Sequence, residues 1–413
     1  MTISLNDLRE SNDFLNILFE KIPALVMLMD QDMQIQEVND AYQILFGKTR
    51  DEALGRRCGN ALGCIFAVTE RKLCGDTSHC NYCSLRRSAQ DAFLQHVPTD
   101  RKKLSHTFIV DSVPTTRFFE YSTRYISFKG REMILLILYD VTVLEIQKAD
   151  LITKQLKLDE DLKASGAIQQ GLLPMRLPDT ERVTFAWKFQ PCDAVGGDIL
   201  NVLSLDKDHI GIYLLDVAGH GAPSAMISLL VYQLMNPHTG VLLDNSSGPA
   251  DIRSPEAVLE ILEREFPFRR FRRHFTIIYM VLDLSTGQLT YSNAAHCTPV
   301  VVRQEGMLEL LTVSGPVIGV RALPFGQGTT PLKPGDKVVL YSDGVIETRN
   351  AANELFGEDR LQEMLTTLSG SSPSDLAQGI YAAVDDFRGT QSPDDDLSVL
   401  VFQYKGEMVA ETT

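Results

Sequence analysis

Aspartate beside glycine recurs in the C-terminal half of this chain, in the segments Gly196-Gly197-Asp198, Asp216-Val217-Ala218-Gly219-His220-Gly221, Ser342-Asp343-Gly344 and, without the glycine, Asp394-Asp395-Asp396. Taken singly, each is an ordinary turn by composition. All four adjoin apolar, strand-like runs, so folding would gather carboxylates at strand ends, where hard cations such as Mg²⁺ and Mn²⁺ find the oxygen ligands they require. The chemistry such a set predicts is hydrolysis assisted by two metal ions. Cys192 and Cys297 stand alone, outside any phosphate-cradling glycine loop, and read as packed thiols and not as nucleophiles.

A second constellation lies in the N-terminal third. Five of the seven cysteines fall between Cys58 and Cys83, and Cys64, Cys74, Cys80 and Cys83 form a Cys-x9-Cys-x5-Cys-x2-Cys pattern. Four thiolates can hold zinc or an iron–sulfur cluster, and the Cys-x2-Cys end is chelating in type, whereas the wider spacings fit no familiar zinc finger. Cys58 and His79 are further candidates. The alternative is a set of redox-active or merely packed thiols.

These residues need elements to place them. From Phe14 to Asp140 the pattern is α+β, with an apolar run Ala24–Met29, a turn at Asp30-Gln31-Asp32, and strands Phe118–Phe128 and Glu132–Tyr139 joined through Lys129-Gly130 as a hairpin. From Val141 to Leu172 there is no proline, and Leu144, Leu151, Leu158 and Leu172 fall on a seven-residue spacing that Ser165 interrupts. That predicts a long helix that pairs as a parallel coiled coil, or a solvated single helix, since the second core position of each heptad is mostly polar. Beyond Pro174, strands are predicted at Val183–Phe189, Ile210–Val217, Phe275–Leu284, Leu289–Asn293, Thr298–Val302 and Lys337–Tyr341, with helices at Pro223–Met235 and Ser254–Glu265. Antiparallel pairing with helices outside gives an α+β layered sandwich. Asn236–Arg253, rich in Gly, Pro, Asn and Ser, reads as a mobile surface loop.

Composition narrows the function classes. The net charge of −15 over 413 residues opposes binding to nucleic acid or anionic lipid. No apolar stretch reaches the ~20 residues of a membrane span, and the opening MTISLNDLRESNDF lacks the pattern of a signal peptide, so the expected location is the cytoplasm.

The ordered set Ile168-Gln169-Gln170-Gly171-Leu172-Leu173-Pro174, Val195-Gly196-Gly197-Asp198, Asp216–Gly221, Asn293-Ala294-Ala295-His296, Tyr341–Glu347 and Asp395-Asp396-Leu397-Ser398 resembles the PPM metal-dependent protein phosphatases of the bacterial SpoIIE branch, over about Ala167 to Tyr404. The resemblance implies an αββα sandwich with a binuclear Mg²⁺/Mn²⁺ site at one edge. Asp198, Asp216, Asp343 and Asp395 would bind the metals, joined by the backbone carbonyl of Val217, with Asp394 or Asp396 as substitutes for Asp395. His220 and His296 would shape loops, a general-acid role for either being the minority reading, and Gly219 and Gly221 would let the backbone approach the metals. The family usually has an aspartate where this chain has Asn201. Phe14–Asp140 resembles a PAS domain through Ile22-Pro23-Ala24-Leu25-Val26, Val38-Asn39, Leu54-Gly55 and Tyr139-Asp140-Val141-Thr142. Some PAS sensors carry iron–sulfur clusters or haem, and that resemblance implies an oxygen or redox input.

The expected organisation is a PAS sensory domain at 14–140, a signalling helix at 141–172 and a phosphatase domain at 173–405. The expected activity is that of a signal-regulated serine/threonine phosphoprotein phosphatase, acting as a homodimer on a phosphorylated STAS-domain anti-sigma-factor antagonist. A catalytically silent binding module is the alternative, with Asn201 its support. A nucleotide cyclase fits less well, because Ile199-Leu200 follow Gly196-Gly197-Asp198 where diguanylate cyclases have Glu-Phe; a sensor kinase lacks its phosphoacceptor histidine and nucleotide boxes.

Overall fold

The computed structural model of the chain describes residues 12–174, 177–178, 180–244, 251–320 and 324–406. Two compact units divide after Gln155.

In the first unit, strands β1 (Leu25–Met29), β2 (Ile35–Val38), β3 (Thr99–Val110), β4 (Val113–Phe128) and β5 (Arg131–Asp140) form one antiparallel sheet of order β2-β1-β5-β4-β3. Along β5 every second side chain, Ile134, Leu136 and Leu138, is buried, the period of a strand with one face on a core. The β4–β5 connection is the two-residue turn Lys129-Gly130 with both φ angles positive (49° and 73°), the twist that suits a tight hairpin. Between β2 and β3 the chain runs through short helices, Ala41–Phe46, Arg50–Ala53, Cys58–Leu62 and Ile65–Thr69, and then Ser84–Leu94. Tyr42, Phe46 and Leu62 from these helices close over Phe108 and Phe119 of the sheet.

Thr142–Gln170 is a single helix of 29 residues. The Thr142 N–H donates to Asp140 Oδ1 at 2.9 Å, fixing where the strand ends and the helix begins. Leu144, Leu151 and Leu158 are all exposed on it.

The second unit holds two five-stranded antiparallel sheets. One has the order β15-β12-β11-β8-β7, from β7 (Ile199–Ser204), β8 (His209–Val217), β11 (Phe275–Asp283), β12 (Gln288–Ala294) and β15 (Gly328–Pro331); the other is β14-β13-β16-β17-β6, from β6 (Val183–Gln190), β13 (Val300–Val302), β14 (Leu308–Leu310), β16 (Lys337–Tyr341) and β17 (Leu397–Tyr404). Helices Ala222–Leu234 and Pro255–Glu265 pack on the first sheet, and Gly357–Thr367 and Pro373–Arg388 on the second, giving αββα layers. Covered on both faces, β8 and β16 are almost continuously buried, which is why they read as unbroken apolar runs without alternation. Of the stretch Asn236–Arg253, residues 245–250 lie outside the described set; the rest is not simply loop, since β9 (Leu243–Asp244) and β10 (Asp251–Ile252) pair across it.

Candidate functional site

Each predicted aspartate sits at the same end of the sandwich. Asp198 immediately precedes β7, and Asp216 is the penultimate residue of β8; because those strands are antiparallel neighbours, the start of one meets the end of the other. Asp343 opens the helix Asp343–Glu347 two residues after β16, and Asp395 lies two residues before β17, again antiparallel neighbours. Both sheets thus contribute two carboxylates to one edge. Exposure is graded: Asp198 is buried, Asp216 and Asp343 are partly buried, and Asp395 is exposed.

The carboxylates are under mutual strain. Burial, then the neighbouring Asp216 and Asp396, hold Asp198 well above the usual carboxylate range. Burial, reinforced by Asp343, Asp395 and Asp396, pushes Asp216 up to about 8. Asp343 is raised to about 6 by burial and by Asp395 and Glu347, and Asp395 is raised by burial, with Asp396 and Glu347 adding to it and a local hydrogen bond and His220 opposing it. Acidic groups that raise one another in this way are short of positive charge, and a divalent cation supplies it. The donor set therefore fits hard cations.

Asp396 has a different task. Its Oδ2 accepts the backbone N–H groups of Gly197 (2.5 Å) and Asp198 (3.1 Å), and its Oδ1 accepts that of Cys192 (2.8 Å). With three backbone donors on it, this buried carboxylate builds the loop that carries Asp198. A Cβ at Gly196 would lie 2.2 Å from Asp396 Oδ2, so only glycine lets the loop come this close. Ser398 Oγ donates to Asp198 Oδ2 at 2.5 Å, and Ser342 locks the two strand ends of the second sheet, its N–H reaching the Ser398 carbonyl and its Oγ accepting the Ser398 N–H, each at 3.0 Å.

The long helix reaches the same loop. Gln169 Nε2 donates to the Gly196 carbonyl (2.8 Å) while its Oε1 accepts the Gly196 N–H (3.0 Å), a two-pronged clamp by a buried side chain. One turn earlier Gly166 lies so close that a Cβ there would sit 1.9 Å from the Ala194 carbonyl oxygen. Neither residue's role is predictable from its type. Gln169 was visible only as part of the motif Ile168–Pro174.

Asn201 lies three residues beyond Asp198 and pairs with Tyr213, so the pleat turns it to the other face. Its Oδ1 accepts the neighbouring Val202 N–H at 2.8 Å. His296 is buried, its backbone N–H held by Asn293 Oδ1 (2.7 Å) and its Nδ1 beside Thr276 Oγ1 (2.8 Å), and burial drives its pKa down to about 3. Neutral at any physiological pH, it lacks the imidazolium proton that a histidine general acid gives. His220 is exposed, with Nδ1 3.6 Å from Asp193 Oδ2. Gly219 and Gly221 both have positive φ (86° and 80°), which is a conformational reason for glycine; a Cβ at Gly221 would meet nothing within 4 Å. The Cys192 thiol is pushed up to about 12 by burial and by Asp396 and Asp395, and burial raises Cys297 further. Both are un-ionised and unsuited to attack.

Residues 206–405 match the family model described as Stage II sporulation protein E (SpoIIE), and residues 13–78 match that of a PAS domain. Phosphoserine phosphatase RsbU of Bacillus subtilis is 26% identical over 256 residues, 61% of this chain and 72% of that protein. Protein IcfG of Synechocystis sp. is 26% identical over 225 residues, and phosphoserine phosphatase RsbP of B. subtilis 26% over 202; those alignments span 36% and 47% of the relatives' own lengths. The SiaA-PP2C domain of Pseudomonas aeruginosa superposes with a TM-score of 0.53 at 22% identity, covering 61% of this chain and 99% of that domain, which shows the fold. The chain carries a SpoIIE-type PPM phosphatase domain and an N-terminal PAS domain.

Proposed function

We propose that this chain is a signal-regulated protein-serine/threonine phosphatase. The observation that carries the reading is the convergence of Asp198, Asp216, Asp343 and Asp395 from two sheets onto one edge, each raised by burial and by its acidic neighbours. With the Val217 carbonyl they would hold two Mg²⁺ or Mn²⁺ ions, and such a pair, when bound, supplies an activated water and neutralises charge on the leaving oxygen. The chain's own residues hold the site ready: Asp396 fixes the backbone under Asp198, Ser398 orients the Asp198 carboxylate, and Ser342 ties β16 to β17. With both nearby thiols neutral and His296 buried, hydrolysis without a covalent enzyme intermediate is the reading that suits these groups.

The relatives named phosphoserine phosphatase support phosphoserine as the substrate residue; a STAS-domain anti-sigma-factor antagonist as its carrier is what the family resemblance implies. The domain division at 14–140, 141–172 and 173–405 follows, with the long helix passing the input to the Gly196 loop through Gln169, and its exposed leucines pairing in a cytoplasmic homodimer. Among the described residues no helix is long and apolar enough to cross a membrane.

Calorimetric titration of the apo chain with Mn²⁺ tests the site. The expected result is binding that is lost in Asp198→Asn and that releases protons at pH 7, because groups with raised pKa values must ionise to bind. Mn²⁺ binding unaffected by Asp198→Asn would overturn the assignment.

A further inference from the structure

The cysteine-rich segment of the first unit plays no part in the phosphatase site, yet it builds a site of its own. Cys64, Cys74, Cys80 and Cys83 all line one apolar-walled cavity of about 40 Å³, closed below by β3. That is roughly three times the ~10–15 Å³ that admits a single water molecule, so it has room for more than one small ion.

The sulfurs are held as ligands are held. Cys80 Sγ accepts the Gly75 N–H at 2.9 Å and lies 2.9 Å from Thr77 Oγ1, while Cys64 Sγ lies 3.0 Å from His106 Nε2. A Cβ at Gly59 would come within 2.8 Å of Cys74 Sγ, so that position must be bare for Cys74 to face the cavity. Arg86 also lines it, a positive charge suited to offset thiolates. Cys58 borders the same cavity but is buried in the hydrophobic core with Leu62 and Ala61.

The spacing of the thiols selects the metal group. A single tetrahedral zinc, with Zn–S bonds near 2.3 Å, draws its four sulfurs to ~3.8 Å of one another. Among the described residues, no three of these cavity ligands lie within 4.8 Å of one another; the one set of His, Cys, Asp or Glu atoms that does is Cys192, Asp395 and Asp396. Thiolates spread around a central space suit a cluster whose irons each take different sulfurs. We propose that Cys64, Cys74, Cys80 and Cys83 bind one polynuclear iron–sulfur cluster in this cavity.

The test is anaerobic reconstitution of the full chain with Fe²⁺ and sulfide, followed by iron and acid-labile sulfide analysis and visible absorption. The expected result is iron and sulfide in comparable amounts per chain with a charge-transfer band in the visible. Both should be largely lost in Cys80→Ser and Cys83→Ser, with circular dichroism unchanged, and retained in Cys58→Ala. A wild-type chain that takes up neither iron nor sulfide overturns the proposal whatever the variants do. So does one zinc per chain, without sulfide, that those serine variants release.

Discussion

Asp396 shows how little a residue's type says about its role. It stands beside a proposed metal ligand and shares its chemistry, yet both of its oxygens are occupied by backbone N–H groups from a loop some 200 positions away in sequence. Asp396→Asn replaces one acceptor oxygen with an NH₂ group facing buried donors, an expected loss of about 1–3 kcal/mol in chemical denaturation. The Mn²⁺ needed for half-maximal activity should rise with it, because the loop under Asp198 loosens. The proposed ligands lead to a second expectation, for the metal-free chain. Asp216 near 8 and Asp343 near 6 exceed the ordinary carboxylate value, so between about pH 4 and 8 the folded chain binds more protons than the unfolded one, and stability falls as pH rises through that window. In EDTA the thermal midpoint should drop from pH 5.5 to pH 8, and the gain on adding Mn²⁺ should be larger at pH 8; a flat profile would mean that the carboxylates are not clustered. The four aspartates were legible in the sequence because each lies in a short turn against an apolar strand. The roles of Asp396 and Ser398 were not, since they rest on contacts made only when both sheets have formed.

At the level of elements, the structure ties the long helix to the Gly196 loop through one side chain and one missing one. Gln169 makes both of its hydrogen bonds to Gly196, and Gly166 leaves no space for a methyl group beside Ala194. Removing two such bonds in Gln169→Ala costs about 2 kcal/mol at most, so the Mn²⁺ concentration for half-maximal activity should rise on the order of tenfold. Gly166→Val should lower activity by displacing the helix end while leaving the β-sheet circular dichroism intact. If neither variant changes the metal dependence, the helix is a tether and not a control element. The helix itself was legible from its composition, and the hairpin β4–β5 from Lys129-Gly130. Strands β7 and β17 were not recognised: Asn201 and Ser204 in one and Ser398 and Gln403 in the other interrupt the apolar run by which β8 and β16 are read, and each strand begins within two residues of an aspartate that reads as a turn.

At the scale of the whole molecule, a five-stranded sheet and an αββα sandwich share one continuous helix, on which Leu144, Leu151 and Leu158 are exposed. A chain beginning at Leu156 keeps Gly166 and Gln169 and should retain Mn²⁺-dependent activity, at a rate different from that of the full chain. Equal rates across substrates and metals would contradict regulation by the N-terminal unit. The central claim is tested most directly by Mn²⁺-dependent release of phosphate from a phosphoserine protein, comparing the full chain with Asp343→Ala. The account predicts turnover that EDTA abolishes and that the substitution reduces on the order of 10²-fold or more. Absence of turnover in the wild-type chain at ample Mn²⁺, with the N-terminal unit present or removed, would contradict it and leave a phosphatase fold used only for binding.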